Sequence, residues 1–182
     1  MCFNSVSCLV IAMYLMNNLH NCSLHIVRCE NTYIHDVSIY GNFNTPNNDG
    51  IDIEDSNNTV ITRCHIDTGD DAICPKTYTG PLYNLTATYC WIRTKSSAIK
   101  FGSASSFDFK NLLFDNIKIV QSHRGLGLQI RDGGNIHLAF LVVLRISWII
   151  DKLSSVITNS CVCVFFFFFI VWLLSIQLVQ EM

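Results

Sequence analysis

The sequence has 182 residues, which is enough for one domain, and 50% of them are hydrophobic. With a mean hydropathy of +0.33, the chain is too apolar for the class of disordered proteins. Its net charge is only −2 and its Lys and Arg residues are scattered, so no basic stripe indicates a nucleic-acid partner.

The N-terminal segment, residues 1–17, is apolar and stays unassigned. Its run VSCLVIAMYLM (6–16) has the length of a signal-peptide core, but no positive residues precede it. A strand or chain end from a larger protein is the alternative that we prefer. Sequons at Asn21, Asn57 and Asn84 are compatible with a secreted glycoprotein.

The middle of the chain repeats itself with a period of 26 or 27 residues: Ile39, Ile66, Ile92 and Ile119 follow one another at steps of 27, 26 and 27. Three further sets keep the same steps: Val37, Cys64, Cys90 and Ile117; Ile34, Ile61, Ala87 and Phe114; and Asn31, Asn58, Asn84 and Asn111. Each asparagine of the last set precedes an apolar run, where a turn is expected.

The apolar runs of the repeat are short and alternating, as in YIHDVSI, VITRCHI, ATYCWI and LLFDNIKI, which predicts strands rather than helices. Strands at this period predict an all-β fold, a right-handed parallel β-helix of about four or five rungs over residues 18–137, stacked about 4.8 Å apart. Cys64 and Cys90 fall in an inward column, which favours a buried apolar role over a disulfide.

Three acids open successive strands of this repeat. Asp49 lies in NNDGIDI and the pair Asp70 and Asp71 in TGDDAI, one turn later, so the coil brings them together. Repulsion between stacked carboxylates raises the pKa of one, which can then hold a proton near neutral pH. A protonated acid facing ionised neighbours with room for a water, about 6.5 to 9.5 Å, is the arrangement of an inverting glycosidase.

The segments TPNNDGIDI, DTGDDAI, SSAIKFGS and LGLQIRDGGN, in this order, resemble the four active-site segments of the polygalacturonase family of glycoside hydrolases, family 28. The resemblance covers roughly residues 18–136 and implies a parallel β-helix enzyme that hydrolyses pectin. It implies that Asp70 is the proton donor and that Asp49 and Asp71 activate water.

Two of the segments depart from the family pattern. The family's Gly-His-Gly falls on residues 96–98, so that Ser97 replaces the active-site histidine. The family's Arg-Ile-Lys, which grips a uronate carboxylate, falls on residues 129–131, and Arg131 keeps one cation suited to that grip. These changes make another acidic pectic glycan, such as a rhamnogalacturonan, a credible substrate. The expected substrate-binding residues are Arg131, Lys100, Gln129 and Ser97.

Other polar residues are assigned no catalytic role. Alternation places His65 on an exposed strand face, and it places Asp52 and Glu54 together on one solvated face. No EF-hand spacing is present, and no cysteine pair has zinc-finger spacing, so no metal and no cofactor are expected. His123 and Arg124 belong to a loop that contacts either substrate or solvent.

The tail, residues 138–182, is apolar and loses the repeat. Its residues 161–179 are long enough to cross a bilayer as a helix, which would give the chain a membrane contact. Five consecutive phenylalanines instead favour a misread non-coding sequence.

The sequence therefore predicts a monomeric, extracellular or cell-wall hydrolase of acidic pectic polysaccharide, such as polygalacturonate or a rhamnogalacturonan. The alternative is a non-catalytic β-helix remnant that binds wall polysaccharide. The lost histidine, Gln129 and the small number of rungs favour this alternative.

Overall fold

The computed structural model describes residues 1–146 except 6, 8, 13–14 and 20–22. The chain divides into two compact units, Met1–Ile149 and Ile150–Met182, and the second lies outside the described residues together with the predicted span 161–179 and the sequon at Asn21. Within the described part, no helix is long and apolar enough to cross a membrane.

All elements of the described residues are strands, arranged in two sheets. The first sheet contains β1 (Cys2–Asn4), β4 (Leu24–Val27), β7 (Ile51–Glu54), β10 (Ile73–Lys76), β13 (Ser97–Phe101) and β15 (Arg124–Leu128). The second sheet contains β2 (Leu9–Ala12), β3 (Leu15–Leu19), β5 (Glu30–His35), β6 (Ser38–Gly41), β8 (Asn57–Thr62), β9 (His65–Thr68), β11 (Leu82–Thr88), β12 (Trp91–Thr94), β14 (Phe109–Gln121) and β16 (Ile136–Ile146).

Every strand pairs in parallel with the strand one turn before or after it. In the first sheet, one column of register partners runs through Leu24, Ile51, Ile73, Ile99 and Leu126. The chain thus coils through about five turns and forms the predicted parallel β-helix. The N-terminal strands β1, β2 and β3 pair with β4, β5 and β6, so the segment left unassigned from the sequence contributes strands to the coil.

The asparagine column forms a ladder at one bend of the coil. Asn31, Asn58, Asn84 and Asn111 all have positive φ, between 53° and 58°, a conformation that asparagine tolerates better than most residues. Their side-chain amides donate along the stack, from Asn58 to Asn31 at 3.3 Å, from Asn84 to Asn58 at 2.8 Å and from Asn111 to Asn84 at 3.2 Å. The predicted turn is thus a bend within the strands β5, β8, β11 and β14 rather than a loop between strands.

A second bend divides most of the predicted strands. Asp36, Arg63 and Tyr89 have φ values of 55°, 51° and 55°, and each lies between two short strands. YIHDVSI, VITRCHI and ATYCWI are therefore pairs of strands, and only LLFDNIKI lies within one strand, β14. The prediction that these runs form strands is confirmed, and three of them are divided because a residue with positive φ turns the chain near their centre.

The core lies between the sheets and consists of the predicted apolar columns. The side chains of Ile39, Ile66 and Ile92 are fully buried, and each contributes roughly 1.5 to 3 kcal/mol to stability. Cys64 and Cys90 are free thiols, 2% and 1% exposed, which confirms their buried role.

On the outer face, His65 is half-buried rather than fully exposed. Its ring stacks on that of Trp91 at 3.9 Å and lies 4.9 Å from that of Tyr40.

Candidate active site

The acids of the candidate site lie just before the strands of the first sheet. Asp49 ends the loop that leads into β7, and Asp70 and Asp71 precede β10 on the next turn. The Gly50 amide donates to the Asp71 carbonyl at 2.8 Å, and a Cβ at Gly50 would lie 2.4 Å from the Ala72 carbonyl oxygen. Glycine therefore lets the two turns touch at the point where the acids stand.

One carboxylate oxygen from each of Asp49, Asp70 and Asp71 lies within 4.8 Å of the other two. This is closer than the 6.5 to 9.5 Å expected from the sequence, because the acids occupy adjoining turns and parallel strands lie only about 4.8 Å apart. Two hydrogen bonds of about 2.7 Å that meet at one water span about 4.3 Å, so the acids are close enough to share one water.

Asp70 is fixed by backbone contacts. Its Oδ2 accepts a hydrogen bond from the Asn47 amide and its Oδ1 one from the Asp71 amide, both at 3.0 Å. Its carbonyl accepts from the hydroxyl of Thr68 at 2.9 Å and from that of Thr94. These bonds fix the position of the Asp70 carboxyl group before any ligand binds.

Asp71 is held as an anion. Burial favours its neutral form, but hydrogen bonds from Lys100 at 2.5 Å, the Ser96 hydroxyl at 2.7 Å and the Ser97 amide at 3.0 Å outweigh burial and lower its pKa. Unlike Asp70, Asp71 is paired with a lysine ammonium, so it contributes mainly a fixed negative charge to the cluster.

Asp49 is the acid suited to hold a proton. Burial, followed by the neighbouring charge of Asp52 and those of Asp70 and Asp71, raises the pKa of Asp49 to about 7, although Lys76 opposes the shift. The Lys76 ammonium lies 3.3 Å from Asp49 Oδ2. The raised pKa therefore falls on Asp49, whereas the proton donor expected from the sequence is Asp70.

Asp52 belongs to the site, and its prediction as a solvated residue was wrong. Its side chain is 4% exposed, and its Oδ2 pairs with Lys76 at 2.6 Å while its Oδ1 has no hydrogen-bond partner among the described residues. Glu54, on the same face, is more exposed and pairs with His25 at 3.1 Å. Alternation correctly put Asp52 outside the core, but it carries no signal for the lysine that covers the residue.

Of the four predicted substrate-binding residues, Lys100 and Ser97 contact Asp71, whereas Gln129 and Arg131 lie away from the acids. Ser97 is fully buried, and its hydroxyl has no partner among the described residues. Lys100 is committed to Asp71. Gln129 and Arg131 follow the far end of β15. The Arg131 amide donates to the Ser105 hydroxyl at 2.7 Å, and the Arg131 residue is exposed.

Arg124 lies nearer the acids than Arg131. It begins β15, in register with Ser97, whose amide binds Asp71. Arg131 is seven residues further along the chain, and β15 alone accounts for about 13 Å of that separation. No carboxylate pairs with the Arg124 guanidinium in the part of the chain that the structure describes. The only sequence signal for this position was a cation in the loop before the strand.

Two groups of side chains have the geometry of a cation site. They are Asp49, Asp70 and Asp71, and Asp49, Asp52 and Cys74, each with one ligand atom within 4.8 Å of the others. In both groups a lysine ammonium already supplies positive charge, Lys100 at Asp71 and Lys76 at Asp52.

A cavity of about 340 Å³ adjoins the cluster. Loop residues 43–46 form one wall, and Gly69, Asp70, Lys95 and Ser96 form the other. Asp70 is the acid of the cluster that lines this cavity.

Comparison with solved structures shows a shared fold. A hyperthermoactive exopolygalacturonase from Thermotoga maritima aligns with a TM-score of 0.62 at 22% identity, over 74% of this chain and 36% of that one. A family 28 exopolygalacturonase from Yersinia enterocolitica aligns with a TM-score of 0.48 at 16% identity, over 74% of this chain and 28% of that one. The chain thus spans about a third of the length of these proteins.

Comparison by sequence gives the family. No curated protein matches the chain. The profile described as Glycosyl hydrolases family 28 matches residues 1–137, which include all the acids of the candidate site. The chain therefore belongs to family 28 of the glycosyl hydrolases.

Proposed function

We propose that this protein hydrolyses glycosidic bonds in an acidic pectic polysaccharide, as a polygalacturonase does, by means of Asp49, Asp70 and Asp71. The observation that carries the proposal is the convergence of three carboxylates within 4.8 Å, one of them with a pKa raised to about 7. Repulsion among buried acids costs stability, and such groups are characteristic of sites that move protons.

In this mechanism Asp70 donates the proton and the other two acids activate water. Asp70 faces the cavity, so it meets the glycosidic oxygen, while the resting proton sits on Asp49. Transfer of that proton from Asp49 to Asp70 protonates the donor, Asp70, and at the same time leaves Asp49 as a carboxylate base. Asp49, supported by the negative charge of Asp71, then takes a proton from the attacking water.

The chemical step adds one water across the bond. The water oxygen bonds to the anomeric carbon as the bond to the leaving oxygen breaks, and Asp70 gives its proton to that oxygen. Attack opposite the leaving group inverts the anomeric centre. Inversion is also what the resemblance to the polygalacturonase family implies.

An acidic substrate matches the cations near the site. Arg124 is in register with Ser97, whose amide binds Asp71. Arg131 and Gln129 would contact a sugar further along the first sheet. We place this activity outside the cell or in the cell wall, where pectic polysaccharide is found and where the sequons at Asn57 and Asn84 could be used.

A second candidate function is carbohydrate binding without hydrolysis, or hydrolysis of a rhamnogalacturonan. The 2.5 Å ion pair between Lys100 and Asp71 favours the first, because a carboxylate so firmly paired is a weak base. The replacement of histidine by the buried Ser97 favours the second, because it alters the surroundings of the acids.

The test is a reducing-sugar assay of the purified chain on polygalacturonate and rhamnogalacturonan side by side. Asp70→Asn serves as the inactive variant, and Asp67→Asn, which makes the same chemical change at an acid paired with Arg93 outside the cluster, serves as its control. Release of sugar by the wild type and the control, but not by Asp70→Asn, is expected. Binding without release by the wild type would favour the non-catalytic function.

A further inference from the structure

The cavity beside the acid cluster has preformed walls. The Thr45 amide and the Asn48 side-chain amide both donate to the Asn42 carbonyl at 3.0 Å, which closes the loop on itself. A Cβ at Gly69 would lie 2.6 Å from the Thr45 carbonyl oxygen and 2.7 Å from that of Asn42. The loop backbone therefore rests directly on the next turn, and the cavity does not depend on a ligand for its shape.

Lys95 brings an uncompensated positive charge to this cavity. Its ammonium donates to the neutral side chain of Asn44 at 2.6 Å and lies 5.5 Å from the centre of the Phe43 ring. No carboxylate pairs with it among the described residues, in contrast to Arg93, which also contacts Phe43 but is bound to Asp67 at 2.9 Å. Lys95 is therefore free to pair with an anion of the ligand.

We propose that this cavity is the subsite for the acidic sugar next to the scissile bond, and that Lys95 recognises the carboxylate of that sugar. The inference rests on the proposed function and extends it to a specificity-determining residue. Asp70 and Lys95 line the same cavity, so a sugar whose glycosidic oxygen meets Asp70 presents its substituents to Lys95. A methyl ester, which has no charge, would lose this contact.

The test measures binding of thio-linked trigalacturonate, which resists hydrolysis, by calorimetry at low salt. Lys95→Gln is expected to weaken binding of the free acid roughly ten-fold, the lower range for a hydrogen bond to a charged group, because Lys95 is exposed. Binding of the methyl-esterified oligomer should not change. Lys95→Arg should retain most of the affinity, and Lys118→Gln, a matched change at an exposed lysine on β14, should behave as the wild type.

Two outcomes would overturn the inference: unchanged affinity of Lys95→Gln for the free acid, or an equal loss for the free acid and the ester. A wild type that releases no sugar but binds the free acid through Lys95 would remove the proposed hydrolysis and leave this subsite standing. A wild type that releases sugar but binds the free acid equally well with and without Lys95 would support the proposed hydrolysis and remove this subsite.

Discussion

Asp49 should make the protein less stable as pH rises, and Asp49→Asn should remove this effect. Burial and neighbouring charges raise the pKa of Asp49 from 3.8 to about 7 in the folded protein, which corresponds to about 4 kcal/mol. Below pH 3.8 the acid is neutral in both states and the effect vanishes. Between 3.8 and about 7 the unfolded state releases its proton first, so the free energy of unfolding falls.

The asparagine variant cannot ionise, so at pH 8 it should be more stable than the wild type by up to about 4 kcal/mol. Loss of the 3.3 Å contact with Lys76 reduces this gain. At pH 4 the two proteins should differ little. Urea unfolding followed by circular dichroism over pH 4 to 8 measures the difference directly.

Asp71→Asn is the matched control with the opposite sign. Hydrogen bonds lower the pKa of Asp71, so its ionised form stabilises the fold above the ordinary pKa and this contribution is lost as pH falls. Removal of one partner of the partly buried pair with Lys100 should cost about 1.5 to 3 kcal/mol at neutral pH, the range for a hydrogen bond to a charged group. A stability difference between Asp49→Asn and the wild type that does not vary with pH would refute the reasoning.

Three further predictions concern the donor, the substrate grip and the bend. Asp70→Asn should lower turnover by about 10² to 10⁴ with binding little changed, as single-turnover kinetics and calorimetry would show; full activity would exclude Asp70 as the donor. Arg124→Ala and Arg131→Ala should each weaken binding of acidic oligomers by roughly 1.5 to 3 kcal/mol, and equal affinity of the wild type for esterified oligomers would count against both. Asn84→Ala should lower the free energy of unfolding by roughly 1 to 3 kcal/mol, because it loses the hydrogen bonds of the ladder and alanine adopts a positive φ less easily. Asn84→Gly adopts the positive φ without strain, so it should lower the free energy of unfolding less. Urea unfolding of the two variants side by side compares them.

The coil and its first bend could be predicted because one residue type recurs there for one physical reason. Asparagine both tolerates positive φ and bonds to its copy on the next turn, so Asn31, Asn58 and Asn84 mark the period in the sequence. The second bend could not be predicted in this way. It uses Asp36, Arg63, Tyr89 and Asn116, four different residue types, so no repeated residue marks this bend in the sequence.

In the candidate site, the positions along the coil were predictable and the side-chain partners were not. Asp49 and Asp71 were placed on adjoining turns because each precedes one of two successive predicted strands. Whether a side chain is covered or paired depends on its neighbours across the sheet, which the period does not encode, so Asp52 was taken as solvated and Lys100 as free for substrate. Arg124 was undervalued for the same reason, since its register with Ser97 appears only in the folded coil.

The configuration of the first product tests the central claim most directly. Proton NMR spectra of trigalacturonate, recorded within minutes of adding the purified chain and before mutarotation, report the anomer that is released. The three-acid mechanism predicts the inverted anomer from the wild type and none from Asp70→Asn. Release of the retained anomer, or no release by a folded wild type, would contradict it.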